Sequence, residues 1–173
     1  PMQDANTTDT TLNPGQSAVG TGIALVASAV TGINGGSGFQ STDVGRFVYL
    51  SAGYAKITGV TDTTNATITI ITALDSASAT ANWQLGAFSD TTGHPSSVTF
   101  FEQRLVFAGT TDQPQTIFFS KSGDYENMTT GTNADDAMVY TIASNQVNRI
   151  RYLKSVRTLI VGTTGGEFTV SAD

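Results

Sequence analysis

Side chains able to do chemistry are few in this 173-residue chain, and their spacing matches no familiar reaction centre. There is no cysteine, which excludes thiolate nucleophiles, disulfide staples and cysteine metal sites. One histidine is present, so a zinc site of two or more histidines is excluded, and a serine triad would have to use His94 as its base. His94 stands in the turn signature Gly93-His94-Pro95, which predicts a surface or interface residue. The patterns G-x-S-x-G, S-x-x-K, H-E-x-x-H and the phosphate-cradling G-x-x-x-x-G-K do not occur.

Carboxylates come in two close sets, Asp124 with Glu126 and Asp135 with Asp136. A glycosidase needs two carboxylates at a set separation, and calcium needs several oxygens. Both sets fall in polar turn segments, where such side chains cap or solvate backbone. The calcium-loop spacing D-x-[DN]-x-[DN]-G is missing, which leaves Asp135 and Asp136 as weak metal candidates only. Arg149, Arg151, Lys154 and Arg157 are half of the eight basic residues. On a strand, Arg149 and Arg151 would share one face and Ile150 and Tyr152 the other. They are candidates for assembly contacts or for facing DNA. No catalytic residue, metal or cofactor is expected.

The elements that position these groups read as strands. Ile23–Val30, Phe47–Leu50, Tyr54–Val60, Thr67–Thr72 and Trp83–Phe88 carry the signal in the first half, and Asp62-Thr63-Thr64-Asn65 reads as a hairpin turn. Val98–Phe107, interrupted at Glu102-Gln103-Arg104, is followed by Thr116–Ser120, Met138–Ala143, Val147–Leu153, Thr158–Gly162 and Glu167–Ser171. Ser122–Asn127 has room for one helical turn. No stretch of 12 or more residues keeps a 3.6-residue apolar period, so the chain is expected to be all-β. Residues 1–19 are polar and read as an extended arm or linker, residues 20–86 as a small antiparallel barrel or sandwich, and 87–173 as a sheet-rich body segment. Trp83, near that boundary, is expected to act as a packing hinge. Most of Phe100, Phe101, Phe107, Phe118, Phe119 and Tyr125 are expected in a core.

Charged residues make up 13% of the chain, about half the globular norm of roughly 25%, and the net charge is −6. That balance disfavours non-specific adhesion to DNA or to anionic membranes. No apolar run approaches the roughly 20 residues needed to span a bilayer, and no membrane insertion is expected. Pro1-Met2 at one end and a strand pattern running into the other read as a piece of a longer protein.

The run Trp83-Gln84-Leu85-Gly86-Ala87-Phe88-Ser89-Asp90 leads into Gly93-His94-Pro95 and Phe100-Phe101-Glu102-Gln103-Arg104-Leu105. With Ser120-Lys121-Ser122-Gly123-Asp124-Tyr125-Glu126-Asn127, Asp43-Val44-Gly45-Arg46 and Gly162-Thr163-Thr164-Gly165-Gly166-Glu167-Phe168, this resembles the tail tubular protein B-like, or tail nozzle, family of short-tailed (podovirus-like) phages and prophages. The resemblance implies a virion structural protein, made in the bacterial host cytoplasm and built into the tail. It implies a β-propeller-like body with a small β domain inserted into it. It further implies assembly with copies of itself in a sixfold ring, contacts with neighbouring tail proteins, and passage of DNA without specific binding. Val106 stands where many relatives carry Trp, so no aromatic role transfers to it. The alternative is a receptor- or carbohydrate-binding module that grips host surface glycan. Its mark would be a cluster of exposed aromatics with nearby amides, for which residues 20–86 offer Phe39, Phe47, Tyr49, Tyr54 and Trp83.

Overall fold

A computed structural model describes residues 1–3, 5–143 and 146–171. They form thirteen strands and two single-turn 3-10 helices, Asn34–Gly36 and Ser41–Asp43. The chain divides after Thr91 into two compact units.

The first unit is one six-stranded antiparallel sheet curled into a half-barrel. Its strands are β1 (Leu12–Pro14), β2 (Gly20–Ala27), β3 (Phe47–Leu50), β4 (Gly53–Val60), β5 (Asn65–Thr72) and β6 (Trp83–Leu85), in the order β1-β2-β5-β4-β3-β6. Period-two patterning decides its inside: Ile68 and Ile70 are buried between half-buried Thr67 and Thr69. Ile57, Leu25, Leu50 and Leu85 join them in one core.

Residues 1–19, expected as an arm or linker, are extended but held. Gln3 N–H donates to Leu85 O (2.7 Å) and Asn6 N–H to Trp83 O (3.0 Å), so the segment first runs along β6. It then becomes β1, which pairs with β2, and thereby spans the gap between the two edges of the curled sheet. Polarity is no obstacle, because its own side chains serve the backbone: Asn6 Nδ2 donates to the carbonyls of Thr8, Thr10 and Ala81. Leu12, fully buried, is its apolar anchor. Trp83 is a core residue of this unit rather than a hinge, with its indole N–H on Thr10 O at 2.9 Å.

A buried ion pair locks the loops onto this sheet. Arg46 and Asp43 are each fully buried, with Nη1 to Oδ1 at 2.9 Å. The guanidinium also donates to Gly86 O (2.8 Å), Asn34 Oδ1 (2.7 Å) and Gln3 Oε1 (2.7 Å). The carboxylate accepts from Asn34 Nδ2, Gln40 N–H and Thr91 Oγ1. One pair thus gathers residues 3, 34, 40, 86 and 91 around a 3-10 turn. The last of these carries the unit past Gly86 to Thr91.

The second unit contains two antiparallel meanders. The first is β7 (Ser97–Phe101), β8 (Arg104–Ala108), β9 (Thr116–Phe119) and β10 (Met138–Thr141); the second is β11 (Ile150–Ser155), β12 (Leu159–Thr163) and β13 (Gly166–Val170). They share a core in which Phe101, Val106, Ala108, Ile117 and Phe119 meet Ile150, Leu159 and Val161. Segment 122–127 forms no helix; it closes two successive turns, Asp124 N–H to Lys121 O and Asn127 N–H to Asp124 O, both at 3.2 Å.

Two hairpins turn without glycine. Ser51 and Ala52 between β3 and β4, and Glu102 and Gln103 between β7 and β8, all have positive φ, from 44° to 60°. Two-residue loops need that conformation to match the strand twist, and Asn-Gly meets it with least strain. Replacing Ser51-Ala52 by Asn-Gly is expected to raise the stability of the first unit by about 1 kcal/mol. Urea unfolding followed by Trp83 fluorescence measures it. By the same assay Asp43→Ala is expected to lose about 3–5 kcal/mol, because it strands a buried guanidinium; a loss below about 1 kcal/mol would show that the pair does not hold the loops.

Candidate functional site

The buried charges hold the architecture, so candidate contacts are the groups left outside. His94 is exposed in the loop before β7. Asp124 and Glu126 are exposed in the turns after β9. An open hollow of about 390 Å³ in the first unit is lined chiefly by hydroxyls, including Thr7, Thr10, Ser28 and Thr31, with Asp9 as its one carboxylate.

Asp135 and Asp136 close on a lysine. Lys121 Nζ lies 3.1 Å from Asp135 Oδ2 and 3.5 Å from Asp136 Oδ1. Hydrogen bonds and charge from Asp135, with a lesser contribution from Asp136, hold the Lys121 ammonium above its ordinary value. Asp136 is held below the usual carboxylate range, first by the Asn133 N–H on its Oδ2 and then by Lys121. These carboxylates therefore cap and tether a loop. Among the described residues no group of three or more His, Asp or Glu could hold a metal ion.

The loop's main anchor, Arg104, is a residue the sequence reading passed over. It is 7% exposed, with Nη1 on Ser120 O and Asp136 O (2.7 Å each) and Nη2 on Ala134 O (2.6 Å). Only its place straight after a hairpin turn hinted at more than a solvated charge.

The basic run departs from simple alternation. β11 carries a bulge: Ile150 pairs with Thr163 and Tyr152 with Gly162, so Arg151 is the extra residue. Ile150 is buried and Tyr152 exposed, where alternation alone would have put both on one face. Tyr152 instead lies across Gly162, where a Cβ would run into its ring, and its hydroxyl donates to Glu167. That bond is the chief cause raising the Tyr152 phenol above its ordinary value. Arg151, Lys154 and Arg157 are exposed and Arg149 half-buried. Among the described residues none of the four joins an ion pair.

The aromatics divide. Phe101, Phe118 and Phe119 are buried, while Phe100 and Tyr125 are exposed and meet edge to face at 5.1 Å. In the first unit Phe39 and Trp83 are core, but Phe47, Tyr49 and Tyr54 lie on the outer face of β3 and β4. Tyr49 is flanked by Tyr54 on one side and Gln84 on the other; Phe47 is flanked by Lys56. The tyrosine rings are 5.0 Å apart and tilted by 55°, and Lys56 Nζ sits 5.9 Å over the Phe47 ring.

A scan against protein-family models finds no match to this chain, and a search of curated proteins finds none. No helix among the described residues is long and apolar enough to cross a membrane.

The Asp136 carboxylate gives a pH test. Its folded value is depressed, so its stabilisation is complete above the unfolded value of about 3.9 and is lost as pH falls through the lower folded value. Carboxylate-carbon NMR is expected to place its midpoint below that of an unperturbed Asp. Lys121→Ala should move it up only part-way, since the Asn133 N–H remains.

Proposed function

We propose that this chain is a segment of a virion structural protein of a short-tailed phage or prophage, a tail hub or nozzle subunit that works by assembly. One observation carries the reading beyond the residue resemblance. The edge strand β10 exposes all four of its side chains, including Met138, Val139 and Tyr140 at 46%, 42% and 59%. A bare apolar edge is a template for pairing and is normally covered. In a ring subunit, a neighbouring copy or a further part of the same body covers it.

Other features agree. The two meanders β7–β10 and β11–β13 are what propeller-like blades would be built from, with the half-barrel of residues 2–91 as the insert. Arg149, Arg151, Lys154 and Arg157 suit contacts with acidic loops of neighbours, such as the turn bearing Glu102 and the loop bearing Asp124 and Glu126. A net charge of −6 suits a conduit, because duplex DNA carries one negative charge per roughly 1.7 Å and should slide past without sticking. The chemistry asked of the chain is none, and no cofactor is called for.

Immunogold electron microscopy of intact phage particles, with antibody against this chain, is expected to label the tail axis. Label on peripheral fibres, or absence from particles together with a negative blot of denatured virions, would sink the reading. Strong retardation of duplex DNA by the assembled protein at moderate salt would sink the conduit role.

A further inference from the structure

The outer face of β3, β4 and β6 gathers side chains of a kind that recognises a ligand, and the fold does not need them there. Across the three strands one row reads Tyr54, Tyr49, Gln84, and the adjacent row on β5, β4 and β3 reads Thr69, Lys56, Phe47. The core lies on the opposite face, where Val48, Leu50, Ala55 and Ile57 are fully buried. The rings therefore contribute little to the core, and Phe47 remains 44% exposed.

We propose that this face binds an acidic oligosaccharide. The ring of a pyranose has an apolar face of C–H groups and a polar rim of hydroxyls, which requires an aromatic floor edged by amides and hydroxyls. The Tyr49–Tyr54 pair, tilted by 55°, supplies a shallow corner for one ring. Gln84 spends one N–H on Gln3 O (3.1 Å), which fixes its amide and leaves the second N–H and the carbonyl oxygen to face sugar hydroxyls.

Charge selects the acidic class. Residues 2–91 contain two basic side chains, Arg46 and Lys56, and Arg46 is fully buried. The single exposed cation of a unit with six aspartates, Asp4, Asp9, Asp43, Asp62, Asp75 and Asp90, thus stands over the exposed Phe47 ring, next to the half-buried Tyr49 and Tyr54. An anionic sugar substituent finds one complementary place on this unit, and it is Lys56. The patch carries three rings, Phe47, Tyr49 and Tyr54, the size of a sugar unit or two rather than of a protein interface, which needs about 800 Å² on each partner.

The full chain is titrated by NMR with tetragalacturonate and sialyllactose as acidic probes and maltotetraose and cellotetraose as neutral ones. An acidic probe is expected to bind with a Kd of about 1 mM or tighter and to shift the Tyr49 and Tyr54 ring signals. Tyr49→Ala should weaken it about 10-fold or more, and Lys56→Gln about 5-fold, down to the level of the neutral probes. Unchanged Trp83 fluorescence shows that each variant is folded. No acidic binding at about 5 mM, binding that survives both substitutions, or equal affinity for neutral probes would overturn the proposal. Self-association abolished by Tyr49→Ala without glycan binding would also overturn it, in favour of a protein contact. Tail location and glycan binding stand or fall separately, since immunogold labelling does not depend on this face.

Discussion

A chain with few charges has put some of them where charges are most costly. Arg46 and Asp43 lie fully buried in the first unit, and a lone buried ion of either sign would cost several kcal/mol. The pair is tolerable because almost every polar atom around it is engaged: Asn34 bridges both partners, Gln3 and Gly86 take guanidinium protons, and Gln40 and Thr91 complete the carboxylate. The half-barrel depends on this knot. Its sheet has β1 at one edge and β6 at the other, and Arg46 bonds both the start of the segment leading to β1 and the residue after β6.

The second unit repeats the device with a different partner. Arg104 is answered mainly by backbone carbonyls of residues 120, 134 and 136, which ties the two ends of a long loop together. Lys121 then ties Asp135 and Asp136 to the other side of that loop. Long polar connections are therefore held here by charged side chains, although they own few apolar residues.

Outward side chains separate the two units in character. The first unit offers a compact aromatic and amide patch with one cation, Lys56. The second offers apolar edges and a run of exposed arginine and lysine on and after β11. On the reading proposed above, the former would serve ligand recognition and the latter contact between large β surfaces.

Strand periodicity made most of the architecture legible in the sequence. Alternation at Thr67–Thr72, the turn at Asp62–Asn65 and the break at Glu102-Gln103-Arg104, whose last residue opens β8, place β4, β5, β7 and β8 to within a few residues. Such patterns are local, and a half-buried pleated surface imposes them on any chain that folds as sheet. What the tertiary structure alone decided is everything that depends on distant partners. Residues 1–19 are held against β6 and β2 because backbone hydrogen bonding does not require apolar side chains. Arg46 and Arg104 look like surface charges until the loops that answer them are in place. The bulge at Arg151 reversed the facing of Tyr152 because it answers to the register of β12, not to β11's own sequence. Whether Phe47, Tyr49 and Tyr54 lay inside or outside was equally a matter of which face the curled sheet closed upon.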